Sequence, residues 1–298
     1  MLDHAGSQNG GGAARVLVSL CNVEEERPSL VVLDTASRAI TPLAVTCGSG
    51  ATGLCVIGED VIAACQTPEA SVTVLDARTL EMRTEAPLSG ARDVHSLVPW
   101  DGGVAVASSG TDEVIWYRYD GRGFTDRTVL WSGGTGDRDT LHVNALAVHG
   151  DALLGCAFGP RTSQSDLWSA AGGGFVFDVI GRGVVLENLG HPHSLVSLDD
   201  QLYLCESSRR LFRSLSGPIA TLDGYTRGAA PLGRARMLVG TSVGRVKSRS
   251  SGRLLNPADG GRRAGTCAVH EVGLDGSVRA TISLASYGAE IYDILPLL

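Results

Sequence analysis

One pattern recurs through the chain and constrains its fold more than any other feature. A polar anchor residue is followed by an apolar alternating run, a Gly/Asp turn and a second apolar run. The pattern reads Gly53-LCVIGEDVIAACQ, His95-SLVPWDGGVAVASSG, Asn144-ALAVHGDALLGCAFG, His193-SLVSLDDQLYLCESS and Arg227-GAAPLGRARMLVGTS, and it ends with Tyr292-DILPLL. Gly58-Glu59-Asp60, Asp101-Gly102-Gly103, Gly150-Asp151 and Asp199-Asp200 separate the runs. Period-two alternation around a tight turn signals an antiparallel hairpin. Short stretches after most hairpins, Ser71–Leu75, Val114–Tyr119, Gly174–Val179 and Leu211–Ser214, supply further strands, and long helical periodicity is absent. Starts at 53, 95, 144, 193, 227 and 292 make six units of three or four short strands.

The last unit holds a single strand, Asp293–Leu298. Its missing strands lie at the other end of the chain, in Arg15–Cys21, Ser29–Asp34 and Ala39–Val45. A ring closed by pairing these segments hides the sheet edges. The sequence therefore predicts an all-β, six-bladed β-propeller over 13–298, closed by pairing of the C-terminal strand with the N-terminal ones. A β-sandwich or two smaller β-domains is the alternative. Residues 1–12 are polar and Gly-rich and are expected to form a flexible tail, without the charged and apolar regions of a signal peptide.

Composition narrows the partners. The formal charge is −7, from 32 acidic and 25 basic residues, so the basic footprint that nucleic acid or an anionic membrane requires is not expected. No apolar run approaches the roughly 18 residues of a membrane span. Lys247 is the only lysine and sits in an Arg/Ser/Gly-rich stretch, which argues against Schiff-base chemistry. Seven cysteines with no C-x-x-C pair, four of them (Cys21, Cys65, Cys156, Cys205) in apolar runs, read as a reduced set in a cytoplasmic protein.

The anchors carry the functional expectation. In a propeller the first strand of each blade lines the axis, so equivalent positions converge. Alignment of the units gives one ring of His95, Asn144, His193 and Tyr292, and a second ring two residues earlier of Asp93, His142, His191 and Glu290. Convergent imidazoles with a carboxylate suit a first-row metal. His95, His142, His193 and Glu290 are the expected ligands, with His191 in reserve. Singly, a strand histidine is more often an ordinary hydrogen-bonded residue; the coincidence of register across blades is what favours a site. Glu290 can alternatively serve as a general base. Asp293 is expected to face the other way and to pack or orient a histidine. Arg227, in Gly224-Tyr-Thr-Arg-Gly228, is a candidate for a substrate carboxylate or phosphate, or else for an inter-blade salt bridge. Asn144 and Tyr292 are candidate substrate-binding or ligand-supporting residues.

His142-Val-Asn144, Pro192-His193-Ser194, Gly224-Tyr-Thr-Arg227-Gly228 and Glu290-Ile-Tyr-Asp293 resemble the landmarks of a bacterial family of conserved, propeller-like proteins of unknown function. The resemblance is best from about 140 to the C-terminus. That family has an Asp after the Asn of the first landmark, where this chain has Ala145. The resemblance implies the fold and assigns no reaction. More distantly, the architecture is similar to propeller enzymes with axial metals: carotenoid-cleaving oxygenases with histidine-bound iron, calcium or zinc lactonases, and metal-dependent lyases.

Two motifs are decoys. Gly48-Ser-Gly50-Ala-Thr-Gly53 fits a dinucleotide loop, but a hairpin follows it instead of a helix. Gly240-Thr-Ser242-Val-Gly244 fits a nucleophile elbow without the strand–turn–helix setting. The Arg-rich segment from Gly244 to Gly265 is expected to be a lid or an insertion, and its charge suits an anionic or polar substrate. Three histidines and one glutamate leave two octahedral positions open. The leading expectation is a mononuclear non-haem Fe(II) oxygenase (Zn or Mn being the other metals) acting on a small polar molecule. A metal-dependent lyase, isomerase or hydrolase and a non-catalytic propeller binding module are the alternatives.

Overall fold

The computed structural model describes residues 14–24, 26–45, 47–133, 139–161, 173–245 and 265–297. The expected tail and most of the Arg-rich segment, including Lys247, lie outside the described residues. The described residues form six four-stranded antiparallel sheets, five of them built from strands consecutive in the chain. Blade 1 contains Arg15–Leu20, Leu30–Asp34 and Ile40–Pro42, with Ile291–Pro296 as its innermost strand. The innermost strands of blades 2 to 6 are Ala51–Ile57, Val94–Trp100, Val143–His149, Pro192–Leu198 and Tyr225–Pro231. Each packs against the next, and Tyr225–Pro231 packs against Ile291–Pro296, so the ring is closed. The structure is thus the six-bladed propeller that the repeat predicts, with the C-terminal strand paired antiparallel to Arg15–Leu20.

The repeat unit explains where the core sits. Alternating apolar residues project from both faces of each small sheet, so every blade is buried against two neighbours. Six apolar clusters result, one at each blade interface. Val16, Val18, Leu238, Ile291 and Ile294 belong to the cluster that seals blade 6 to blade 1.

A polar latch repeats beside these clusters. At every interface a hydroxyl or thiol donates to the carbonyl at the start of the next innermost strand. Ser19 bonds Thr52 O, Thr52 bonds Val94 O, Ser109 bonds Val143 O, Cys156 bonds Pro192 O, Ser207 bonds Thr226 O and Ser242 bonds Ile291 O. The residue after each latched carbonyl is Gly53, His95, Asn144, His193, Arg227 and Tyr292 in turn, the six anchors of the sequence repeat. Each innermost strand also shifts register at or beside its anchor, leaving extra residues opposite the second strand. Such bulges bend a strand and re-aim its side chains. They turn the anchors toward the axis at the end where the innermost strands begin.

Gly53 shows why one anchor has no side chain. A Cβ there would lie 2.6 Å from Ser96 Cα in the next blade.

Candidate axial site

The anchors and the residues just before them form a continuous set of rings. His95 and His142 meet edge to face with centroids 4.7 Å apart, and His95 lies 5.3 Å from Tyr292. Tyr292 lies 6.3 Å from His193. Phe158 bridges the other side, 4.4 Å from His142 and 5.0 Å from His193, and it stacks on His191 at 4.5 Å. Tyr225 completes the cluster 5.6 Å from His193. His95, Asn144, His193, Arg227 and Tyr292 are all buried. The structure therefore brings His95, His142, His193, Asn144, Arg227 and Tyr292 together from five blades.

Hydrogen bonds fix what each group can do. Asn144 Nδ2 donates to His95 Nδ1 at 3.1 Å, and His95 Nε2 faces Asp93 Oδ1 at 3.2 Å. With its Nδ1 lone pair accepting from the amide, His95 carries its proton on Nε2 and donates it to Asp93. Burial pushes the His95 pKa down, and the Asp93 charge only partly restores it. His142 Nδ1 lies 3.1 Å from Asp139 Oδ1. The loop that carries it is held by Asp112, whose carboxylate accepts from the backbone N–H groups of Thr140, Leu141 and His142. Arg161 Nε donates to Asp139 O at 3.0 Å. His191 Nδ1 pairs with the Tyr225 hydroxyl at 2.7 Å.

His193 differs from the other histidines. Its Nδ1–H donates to His191 O at 3.0 Å and lies 2.6 Å from Ser207 Oγ, whose own proton goes to Thr226 O. Its Nε2 is therefore a bare lone pair, and it is buried with no partner among the described residues. Burial, reinforced by the Arg227 charge, holds its pKa well below the usual imidazole value. Arg227 Nε and Tyr292 Oη are also buried without partners among the described residues. The Arg227 guanidinium lies 4.9 Å from the Tyr225 ring centre and 5.4 Å from that of Tyr292. Three orphaned polar atoms thus come from blades 5, 6 and 1.

The expected metal set does not form as read from the sequence. Glu290 accepts from Arg245 Nε at 2.8 Å and Nη2 at 2.6 Å, from Asn22 Nδ2 at 3.0 Å and from Arg227 Nη1 at 3.3 Å. Burial alone would raise its pKa, but the Arg245 bonds and both arginine charges hold it below the usual carboxylate range. A carboxylate so clamped is neither an open ligand nor a poised base. Both His95 nitrogens are engaged. Among the described residues, no three His, Cys, Asp or Glu side chains are grouped to hold a metal ion.

Other expectations need smaller corrections. Asp93, His142 and His191 adopt left-handed backbone, with φ of 48°, 56° and 52°, so the strand period does not extend back to them. Asp293 lines the axial channel instead of turning away from it. Arg227 makes the inter-blade salt bridge to Glu290 and keeps one N–H unpaired. His149, which the Gly150-Asp151 turn signal would place in a turn, ends an innermost strand and contacts Ser197 Oγ at 2.9 Å. Asp139, Phe158, Tyr225, Arg245, Asn22 and Asp112 gave no sign in the repeat, because they lie outside the anchor positions.

A ring of six blades with polar anchors at one end of its axis defines a β-propeller with a built axial centre. Residues 134–298, more than half of the chain, match the model of a domain of unknown function (DUF4915), and the chain belongs to that family. No curated protein matches the sequence. Among solved structures, the chain is similar to one in a nidogen/laminin complex, at 13% identity and TM-score 0.64, covering 96% of this chain and 99% of that one. It is similar to a luciferin-regenerating enzyme at 11% identity and TM-score 0.57, covering 78% and 76%. It also resembles a Bacteroides fragilis protein assigned as a 6-phosphogluconolactonase, at 8% identity and TM-score 0.56, covering 98% and 100%. At these identities the likeness is one of fold.

Proposed function

We propose that the protein binds a small hydroxylated oxyanion at the axial ring and transfers a proton there. The observation that carries this reading is the trio of buried polar atoms that have no partner among the described residues, His193 Nε2, Arg227 Nε and Tyr292 Oη. A buried polar group without a partner costs about 1–3 kcal/mol. Three together suit a site whose partners arrive with a ligand. Arg227 Nε–H and the Tyr292 hydroxyl donate to a carboxylate or phosphate oxygen. His193 Nε2, neutral at physiological pH, accepts from a ligand hydroxyl. Burial and the neighbouring Arg227 charge make its protonated form a better proton donor than an ordinary imidazolium, so it returns the proton. The Asn144–His95–Asp93 chain holds His95 in one tautomer at the ring edge and fixes the wall against which the ligand rests. Two of the similar solved structures carry enzyme names, in keeping with a catalytic use of the site.

Calorimetric titration tests this reading. Glycolate, lactate and gluconate are expected to bind wild-type protein, with acetate and propionate at least tenfold weaker. Tyr292→Phe and Arg227→Lys are expected to reduce binding of the hydroxy acids by tenfold or more. Equal binding by wild type and Tyr292→Phe, or none by wild type, would sink the reading.

The non-haem iron reading finds no matching donor set among the described residues. Elemental analysis discriminates the two. About one equivalent of iron or zinc retained by wild type and lost in His142→Ala would restore metal chemistry in place of the metal-free site.

A further inference from the structure

A second polar arrangement lies along the axis, next to the ring. The residue after the anchor in blades 1, 3 and 5 is Asp293, Ser96 and Ser194. Each accepts a backbone N–H from the following blade: Leu54 N to Asp293 Oδ2 at 2.9 Å, Leu146 N to Ser96 Oγ at 3.1 Å, and Gly228 N to Ser194 Oγ at 2.8 Å. Alternate blades thus make the same clasp, twice with a hydroxyl and once with a carboxylate. All three side chains line an axial cavity of about 130 Å³ with His95, Asn144 and Tyr292. That is several times the room one water needs.

Serine suffices for the clasp, so the carboxylate at 293 adds something the fold does not require. It places a negative charge in a cavity otherwise walled by neutral groups. Asp293 accepts two backbone N–H groups, from Leu54 and Ile294, and among the described residues no cationic side chain touches it. The titratable groups around it are His95 and Tyr292 in the cavity wall, with Cys55 and Cys205 near enough to feel its charge. His95 is held neutral by burial, and the raised Tyr292 and thiol pKa values keep those groups uncharged. A partly buried charge without a counter-charge tends to acquire one or to be neutralised.

We propose that the axial cavity is a binding site for one hard inorganic cation, held by the Asp293 carboxylate with the Ser96 and Ser194 hydroxyl oxygens. Each serine oxygen uses one lone pair on the neighbouring N–H and keeps another for the ion. An all-oxygen set with a single carboxylate suits Na⁺, K⁺, Mg²⁺ or Ca²⁺ and not a thiophilic metal. Burial raises the Asp293 carboxyl to about 7, so a cation competes with a proton near neutrality.

Thermal unfolding at pH 8 in N-methylglucamine chloride, with each of the four cations added at constant ionic strength, tests the proposal. At least one cation is expected to raise the wild-type midpoint saturably by a few degrees. Its apparent affinity should fall roughly tenfold per pH unit below about 7. Asp293→Ser, which keeps the clasp and removes the charge, is expected to be indifferent to the ions. Ser96→Ala, which keeps the charge, is expected to bind several-fold more weakly and stands in should the first variant not fold. A wild type indifferent to all four cations, or variants that respond as wild type does, would overturn the proposal. Hydroxy-acid binding is measured separately, so failure of the cation site leaves the axial-ring reading to its own test.

Discussion

At the scale of single residues, one carboxylate and two histidines on the axis set opposite pH dependences. Burial raises the Asp293 pKa to about 7, well above the ordinary carboxylate range, so the folded chain holds its proton more tightly than the unfolded chain. Its contribution to stability is full below about pH 4 and is lost as pH rises toward 7. His193 and His95 are depressed, so theirs is present above about 6.5 and lost as pH falls. In the absence of added cations, Asp293→Ser is therefore expected to match wild type near pH 4 and to exceed it by up to about 4 kcal/mol above pH 7. Urea unfolding across that range measures the difference, and a gap that is constant with pH would contradict the assignment. Asp112 makes a different demand, because it satisfies three consecutive N–H groups beneath His142. Asp112→Ala is expected to destabilise the fold by about 2–3 kcal/mol. It should also move the His142 ring resonance in an NMR spectrum, which a change confined to distant packing would leave in place.

At the scale of strands, the latch explains why Ser or Cys recurs at the end of the second strand in five of the blades, with Thr52 taking the part at the start of an innermost strand. Ser242→Ala removes the donor to Ile291 O at the closing interface and is expected to cost about 1–3 kcal/mol in denaturant melts. Cys156→Ala, which removes a weaker thiol donor to Pro192 O at 3.3 Å, is expected to cost less than Ser242→Ala. The hairpins were legible in the sequence because alternation and turn residues are local signals; the innermost strands begin within two residues of the repeat starts. The anchors were legible for a related reason, since a cyclic fold brings equivalent positions to one axis. What could not be read was direction. A register shift at each anchor breaks the period-two rule, so Asp293 faces the channel where strict alternation points it away. Left-handed backbone at Asp93, His142 and His191 has no glycine to announce it. The clamp on Glu290 had no local signal, because its partner Arg245 lies 45 residues away at the edge of an Arg-rich segment with no repeat to place it.

At the scale of the whole molecule, the ring depends on one strand. Ile291 and Ile294 are buried in the cluster between blades 6 and 1, and Ile291–Pro296 covers the edge of Arg15–Leu20. Deletion of residues 291–298 is expected to abolish the cooperative thermal transition, because two buried isoleucines alone represent about 3–6 kcal/mol and the exposed edge invites association. A truncated chain with a wild-type melting curve would contradict closure by this strand. The same pairing sets where attachments leave the protein. Leu297 N bonds Arg15 O, so both ends of the described propeller lie together, at the opposite end of the axis from the histidines. A tether joined at either position would leave the mouth of the torus pointing outward from the support, an orientation that favours immobilised sensors built on this scaffold.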